Sequence, residues 1–158
     1  MSSDPPHGPA AAESNRHTEI AQAVYRSWWN VDRAAGIGSE LLYTEDGVCV
    51  MPALTMTGRD EIVRGYAARQ AHGPRLSRHL VSNLVTDHHH DDARVTAIYA
   101  LTLFARNGVA PLELGSPSAI CDVVDDFVRT GGDWLIRRRV LEAVFVAQDN
   151  DSVLLGRK

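Results

Sequence analysis

Two residues of this chain, an acid and a base in apolar surroundings, invite a chemical reading: Asp32, at the end of a Trp-rich helical segment, and His79, inside RLSRHLVSNLVTD. Imidazole ionises near neutrality, so His79 is the natural proton carrier. A carboxylate hydrogen-bonded to one ring nitrogen would fix the tautomer and leave the other nitrogen free to accept a proton, and Asp32 is the candidate for that task. The plain alternative is a core histidine satisfied by a backbone carbonyl, with Asp32 as a helix-end cap. Strict alternation puts Ser77, His79, Val81, Asn83 and Val85 on one strand face, which makes Asn83 a candidate partner for a ligand oxygen. Tyr99 offers a phenolic donor, although core packing also accounts for it.

Other polar residues read as follows. Asp125 shares a strand face with Cys121, Val123 and Phe127, and is either an auxiliary acid at a ligand site or the partner of Arg138 or Arg139. Half-exposed antiparallel strands also carry solvated acids routinely. Trp28 is a candidate ligand contact; Trp28, Trp29 and Trp134 are otherwise explained as helix-to-sheet packing. His88, His89, His90, Asp91 and Asp92 resemble a metal cluster in composition, but consecutive turn residues point apart and do not converge on one ion, so a solvated hairpin tip is expected and no metal site is assigned. Cys49 and Cys121 lack metal-ligand spacing and are expected as two reduced, buried thiols in a cytoplasmic protein.

The elements that must position these groups are legible from periodicity. Ile20, Ala23, Val24, Trp28 and Val31 recur at three- and four-residue spacing, an amphipathic helix from about Ser14 to Val31 with Asp32 at its end. Ala34 to Leu42 suggests a short second helix. GVCVMP reads as a strand closed by Pro52, and LTMT as its return. TGRDEIVRGYAARQAHGP is a third helix, with Thr57 and Asp60 spaced as a capping box and Gly73-Pro74 as the stop. Long strands follow over Leu76 to Asp87, Ala93 to Arg106, Ser118 to Val128 and Trp134 to Val146. Helices first and long antiparallel strands afterwards predict an α+β fold: a strongly curved, mostly antiparallel sheet with about three helices closing a central pocket. Residues 1–15 are expected as a flexible tail, 16–147 as the domain and 148–158 as a second tail.

Composition narrows the function classes. A formal net charge of -4 leaves no basic surface to track a phosphate backbone, so nucleic acid is not an expected partner. The run Arg137 to Arg139 lies in a strand, where alternation sends its side chains to opposite faces. No apolar run approaches the ~18 residues that span a bilayer, and the N-terminus lacks the features of a targeting peptide. Neither a glycine-rich phosphate loop nor metal-ligand spacing occurs, so no cofactor is expected.

Taken in order, WNVDRAAG, LLYTEDGVCVMP, TGRDEIVRGYAARQ, RHLVSN and DDFVRTGGDWLIRRR resemble the SnoaL-like branch of the nuclear transport factor 2-like superfamily, over roughly Thr18 to Phe145. That resemblance implies a cone fold, a homodimer, a small hydrophobic ligand, and activities that span polyketide cyclases, dehydratases and isomerases alongside non-catalytic members. In dehydratase members an Asp after the first helix and a His on the strand after the third helix form the acid/base dyad, positions that Asp32 and His79 match. The chain departs from scytalone dehydratase where Val31 replaces a Tyr and Ala105 stands near the expected second His, and from ketosteroid isomerases in lacking an Asp near Pro52. RLSRHLVSN and VMP also resemble the small subunit of aromatic-ring-hydroxylating dioxygenases, which is mainly structural. The expectation is therefore a cofactor-independent lyase or isomerase acting on a cyclic or polyketide-like substrate, with a ligand-binding module or a structural subunit as the alternative.

Overall fold

The computed structural model describes residues 9–89 and 92–148. Its elements are α1 (Pro9–Ala34), a 3-10 turn (Ser39–Leu42), β1 (Tyr43–Met51), β2 (Leu54–Thr57), α2 (Arg59–Ala71), β3 (Arg75–His88), β4 (Arg94–Asn107), β5 (Ala119–Thr130) and β6 (Asp133–Val146). The strands form one six-stranded sheet in the order β2-β1-β6-β5-β4-β3. Only the β1–β6 pairing is parallel; the others are antiparallel, and β2 and β3 remain as free edges of an open sheet.

The α+β class and the boundaries of β2 to β6 follow the sequence pattern closely, β1 begins at Tyr43, four residues before the GVCVMP segment, and the helices depart from the pattern in three ways. Two α-helices are present among the described residues, because the segment expected as a second helix forms only the four-residue 3-10 turn. Gly36 and Gly38 there have φ of 83° and 81°, a left-handed conformation that breaks any helix. At Gly36 the absence of a side chain is doubly required, since a Cβ would lie 2.2 Å from the Tyr66 ring. Next, α1 begins at Pro9, so residues 9–15 are helical and do not belong to a tail; a proline in the first turn loses no intrahelical hydrogen bond. Of the expected tails 1–15 and 148–158, residues 1–8 and 149–158 lie outside the described residues. Finally, the Thr57/Asp60 capping box is replaced by a one-residue variant: Gly58 is the N-cap, and the Thr57 backbone N–H donates to Glu61 Oε2 at 2.7 Å.

Helix α1 lays Ile20, Val24, Trp28 and Val31 on the sheet's inner face, all of them buried, as the spacing predicts. Each such side chain contributes about 1.5–3 kcal/mol of transfer free energy. Trp29, one residue from this stripe, is 63% exposed and takes no part in core packing. On β5, Ala119, Cys121, Val123, Asp125 and Phe127 alternate inward as expected, and both cysteines are free and buried. No described helix is long and apolar enough to cross a membrane.

Of the four register irregularities among the described strands, one on β3 and one on β6 change which side chains face inward near the site. On β3 the register shifts between Ser82 and Val85 opposite β4, and Asn83 adopts φ 54°. An extra residue in one strand reverses the in/out parity beyond it, and Asn tolerates the left-handed conformation better than most residues. Ser77, His79 and Val81 therefore point inward before the bulge, and Leu84 and Thr86 after it. On β6 the pairing steps from Ile136 opposite Phe127 to Arg138 opposite Asp126, leaving Arg137 as the extra residue. Ile136 and Arg139 consequently both face inward, with Arg137 and Arg138 outside.

Candidate active site

The last turn of α1 places Asp32 against β3. A carboxylate there opposes the negative end of the helix dipole, an arrangement that needs compensation. β3 supplies it with three hydrogen bonds. Ser77 Oγ–H donates to Asp32 Oδ1 at 2.8 Å, the His79 backbone N–H donates to Oδ2 at 2.8 Å, and His79 Nδ1 lies 2.6 Å from Oδ1. The two side chains are 9% and 8% exposed. Burial alone would push the Asp32 carboxyl up, but the hydrogen bonds and charge of His79, together with the Ser77 hydroxyl, hold it below its ordinary value. Asp32 is thus an ionised acceptor, and the short contact assigns the proton to His79 Nδ1.

Burial also dominates His79, pulling its pKa below 6.5 despite the opposing pull of Asp32. The imidazole is neutral near pH 7, with the Nε2 lone pair unprotonated. Nε2 has no hydrogen-bond partner among the described residues. The ring stacks on Trp28 with centroids 4.6 Å apart and planes 18° apart, which limits its rotation. The plain alternative of a histidine satisfied only by backbone does not describe this arrangement.

His79 lines a cleft between Trp28 and Val31 of α1, Tyr66 and Arg69 of α2, and the inner sheet face near Leu103. The cleft has a volume of ≈ 530 Å³ including its open mouth. Most of its wall is apolar, the usual character of a small-molecule site.

The remaining sequence candidates divide sharply. Trp28 lines the cleft. Asn83 does not: the bulge it forms turns it outward, and it is exposed. Tyr99 and Asp125 face inward but lie behind Trp28, away from the cleft wall. Asp125, with no exposed surface, accepts a bidentate pair from Arg139, Nε to Oδ1 at 2.7 Å and Nη2 to Oδ2 at 2.6 Å. Tyr99 Oη–H donates to Asp125 Oδ2 at 2.9 Å and accepts from Trp28 Nε1–H at 2.9 Å. Arg139 Nη2 also donates to Ser27 Oγ at 2.9 Å, and its guanidinium sits 4.3 Å from the Trp28 ring centroid. Burial opposes the Arg139 cation, but Asp125 and the two nearby tyrosines hold its pKa well above the ordinary value. The Asp125 carboxylate, the Tyr99 hydroxyl, the Trp28 N–H and the Nε and Nη2 groups of Arg139 bond one another, an arrangement that fixes Trp28 and, through it, the face on which His79 stacks. Asp125 is the partner of Arg139, not a ligand contact, and the same network removes Tyr99 as one.

Arg69 was not among the sequence candidates. It donates from Nη2 to Ser77 Oγ at 3.2 Å, so it is two hydrogen bonds from the Asp32 carboxylate, and it lines the cleft. The signal that finds it is helical spacing: Ile62 and Tyr66 are the buried positions of α2, and Arg69 continues that stripe at i+3. Among the described residues no group of His, Cys, Asp and Glu is arranged to hold a metal ion; His90 and Asp91 of the histidine run lie outside them.

Comparison with known proteins matches the family model for the SnoaL-like domain over residues 12–140. The chain belongs to the SnoaL-like family. Among solved structures, a protein from Catenulispora acidiphila is 25% identical, with a TM-score of 0.71 over 84% of this chain and 94% of that one. A candidate scytalone dehydratase from Novosphingobium aromaticivorans superposes with a TM-score of 0.75 at 17% identity, over 87% and 90% of the two chains. The beta subunit of a candidate aromatic-ring-hydroxylating dioxygenase from the same organism gives 0.72 at 14% identity, over 85% and 93%. The last two likenesses speak to the fold alone. No curated protein matches the SnoaL-like chain.

Proposed function

We propose that this SnoaL-like protein is a small lyase or isomerase, of dehydratase or cyclase type, that works by acid/base chemistry on a hydrophobic cyclic or polyketide-like substrate and needs no cofactor. The observation that carries the reading is the 2.6 Å hydrogen bond from His79 Nδ1 to Asp32 at an apolar cleft, with Nε2 unpartnered among the described residues. In the proposed reaction His79 Nε2 removes a proton from a carbon next to a carbonyl, whose oxygen takes up the electron pair as an enolate. Asp32 stabilises the imidazolium so formed. The enolate then collapses: in a dehydration it expels a β-hydroxyl, which takes the proton back from Nε2 and leaves as water, whereas in an isomerisation another carbon takes that proton. The likeness to a candidate dehydratase agrees with this reading.

The outer sheet face supports a homodimer as part of the same proposal. Val85, Ile98 and Val124 stand exposed in one transverse row across β3, β4 and β5. Sedimentation velocity tests that element directly, and a monomer at micromolar concentration removes it.

The catalytic element is tested by screening cyclic ketones and β-hydroxy ketones for turnover with the wild type and His79→Ala. Loss of about 10²–10⁴-fold in kcat/KM is expected where general-base catalysis is removed. Turnover undiminished by His79→Ala sinks the reading and favours the ligand-binding or structural-subunit alternative.

A further inference from the structure

One atom of the cleft has no role in the dyad. Arg69 Nη1 is buried and has no hydrogen-bond partner among the described residues. A guanidinium N–H withdrawn from water and left without an acceptor costs more than a neutral donor does, so native structures retain few without a use. The neighbouring nitrogen is pinned on Ser77, which holds the guanidinium in place. Burial also draws the Arg69 pKa down from its ordinary value, as befits a cation short of solvent.

The charge around the cleft points the same way. Arg69 and Arg75 both line it, whereas the nearby carboxylate, Asp32, has its oxygens occupied by Ser77 and His79. What the cleft presents is an apolar wall, a neutral imidazole lone pair and a fixed guanidinium donor. A ligand complementary to that set has an apolar body, a removable proton, and an oxygen that carries negative charge.

We propose that Arg69 is the binding group for an anionic oxygen of the ligand, either the carbonyl oxygen that becomes an enolate as His79 takes the proton or a carboxylate elsewhere on the same molecule. This deepens the acid/base reading and rests on it for the enolate case. Arg69 touches the ligand, and its donor is already oriented before the ligand arrives, the condition under which such a group stabilises developing charge most effectively.

The test uses the full chain and three probes of similar size: 4-nitrophenolate, which carries its charge on one conjugated oxygen; benzoate, a carboxylate; and toluene, which has neither. Binding is followed by phenolate absorbance and by calorimetry. The wild type is expected to prefer an anionic probe over toluene at least tenfold. Arg69→Gln lowers affinity for that anion by about 10- to 100-fold, the worth of one charge-assisted hydrogen bond, and leaves toluene within about twofold. Arg69→Lys, which keeps the charge, retains part of the preference. A preference for the phenolate supports the enolate site, and a preference for benzoate supports a carboxylate-bearing substrate. The proposal is overturned if the wild type shows no anion preference, if Arg69→Gln keeps it, or if Arg69→Gln and Arg69→Lys both lose toluene as well, which marks a structural role. Failure of the dyad reading looks different: His79→Ala would retain turnover while the Arg69-dependent anion preference stands.

Discussion

Asp32→Asn removes one charge and almost no volume, and the geometry around it dictates the consequence. Of the three donors that meet Asp32, the His79 backbone N–H cannot change its role, whereas Ser77 Oγ–H can rotate and imidazole can exchange tautomers. The amide oxygen of the variant must therefore take the backbone N–H, which turns its NH₂ toward His79 Nδ1. Nδ1 becomes an acceptor, the ring proton moves to Nε2, and the atom proposed as the base becomes a donor. Two costs then fall on catalysis. The charge-assisted hydrogen bond that favours imidazolium is lost, about 1.5–3 kcal/mol, and reversing the tautomer costs about one neutral buried hydrogen bond, ~1 kcal/mol. Together these predict a fall of roughly 10²- to 10³-fold in kcat/KM, at 1.36 kcal/mol per tenfold. Stability should change by less than ~1 kcal/mol, because the hydrogen bonds are remade and a charge unfavourable to the helix dipole is gone. The direct assay is ¹⁵N imidazole NMR: His79 as the Nδ1–H tautomer in the wild type and Nε2–H in the variant. A wild type already in the Nε2–H form, or a variant that keeps Nδ1–H with full activity, would refute the reasoning.

Two further expectations concern the fold around the site. His79 in the native state ionises below 6.5, its burial outweighing Asp32, so the unfolded chain takes up the proton first; its contribution to stability is full above pH 6.5 and declines as the pH falls through the native value. Asp32 ionises below its ordinary value of 3.8 in the native state, so its contribution is full above 3.8 and is lost only as the pH falls further. Urea unfolding of wild type and His79→Gln should therefore diverge in slope as the pH falls below 6.5, and parallel profiles would contradict the burial argument. The Asp125–Arg139 pair has no exposure on the carboxylate and 2% on the guanidinium, so Asp125→Leu alone should cost about 3–5 kcal/mol by stranding the cation. Adding Arg139→Met should recover part of that loss in the same denaturant assay, and costs that simply add would show that the pair is not coupled.

The legibility of this molecule from its sequence follows the range over which each feature is decided. Strand limits on β3 to β6 and the buried stripe of α1 are local properties, written in alternation and in three-four spacing, and the structure reproduces them to within one or two residues. The segment from Ala34 to Leu42 reads as a short helix because spacing alone does not reveal that Gly36 must adopt a left-handed φ beneath the Tyr66 ring. The pairing of Asp32 with His79 is legible only from residue chemistry joined to family resemblance; neither spacing nor composition brings positions 47 residues apart into contact.

By itself, then, the sequence determined the class of fold, the order of its strands and the extent of all but β1, the core face of α1 and the two residues most suited to proton transfer. Tertiary structure alone decided which way the polar residues near them point. A strand's inward face depends on parity, and one extra residue reverses it: the bulge at Asn83 sends that side chain out of the site, and the bulge at Arg137 brings Arg139 inward onto Asp125 in place of Arg138. Whether a bulge forms depends on pairing with a neighbouring strand far along the chain, and whether Arg69 faces a cleft or solvent depends on how α2 docks, so neither is encoded within the segment that carries the residue.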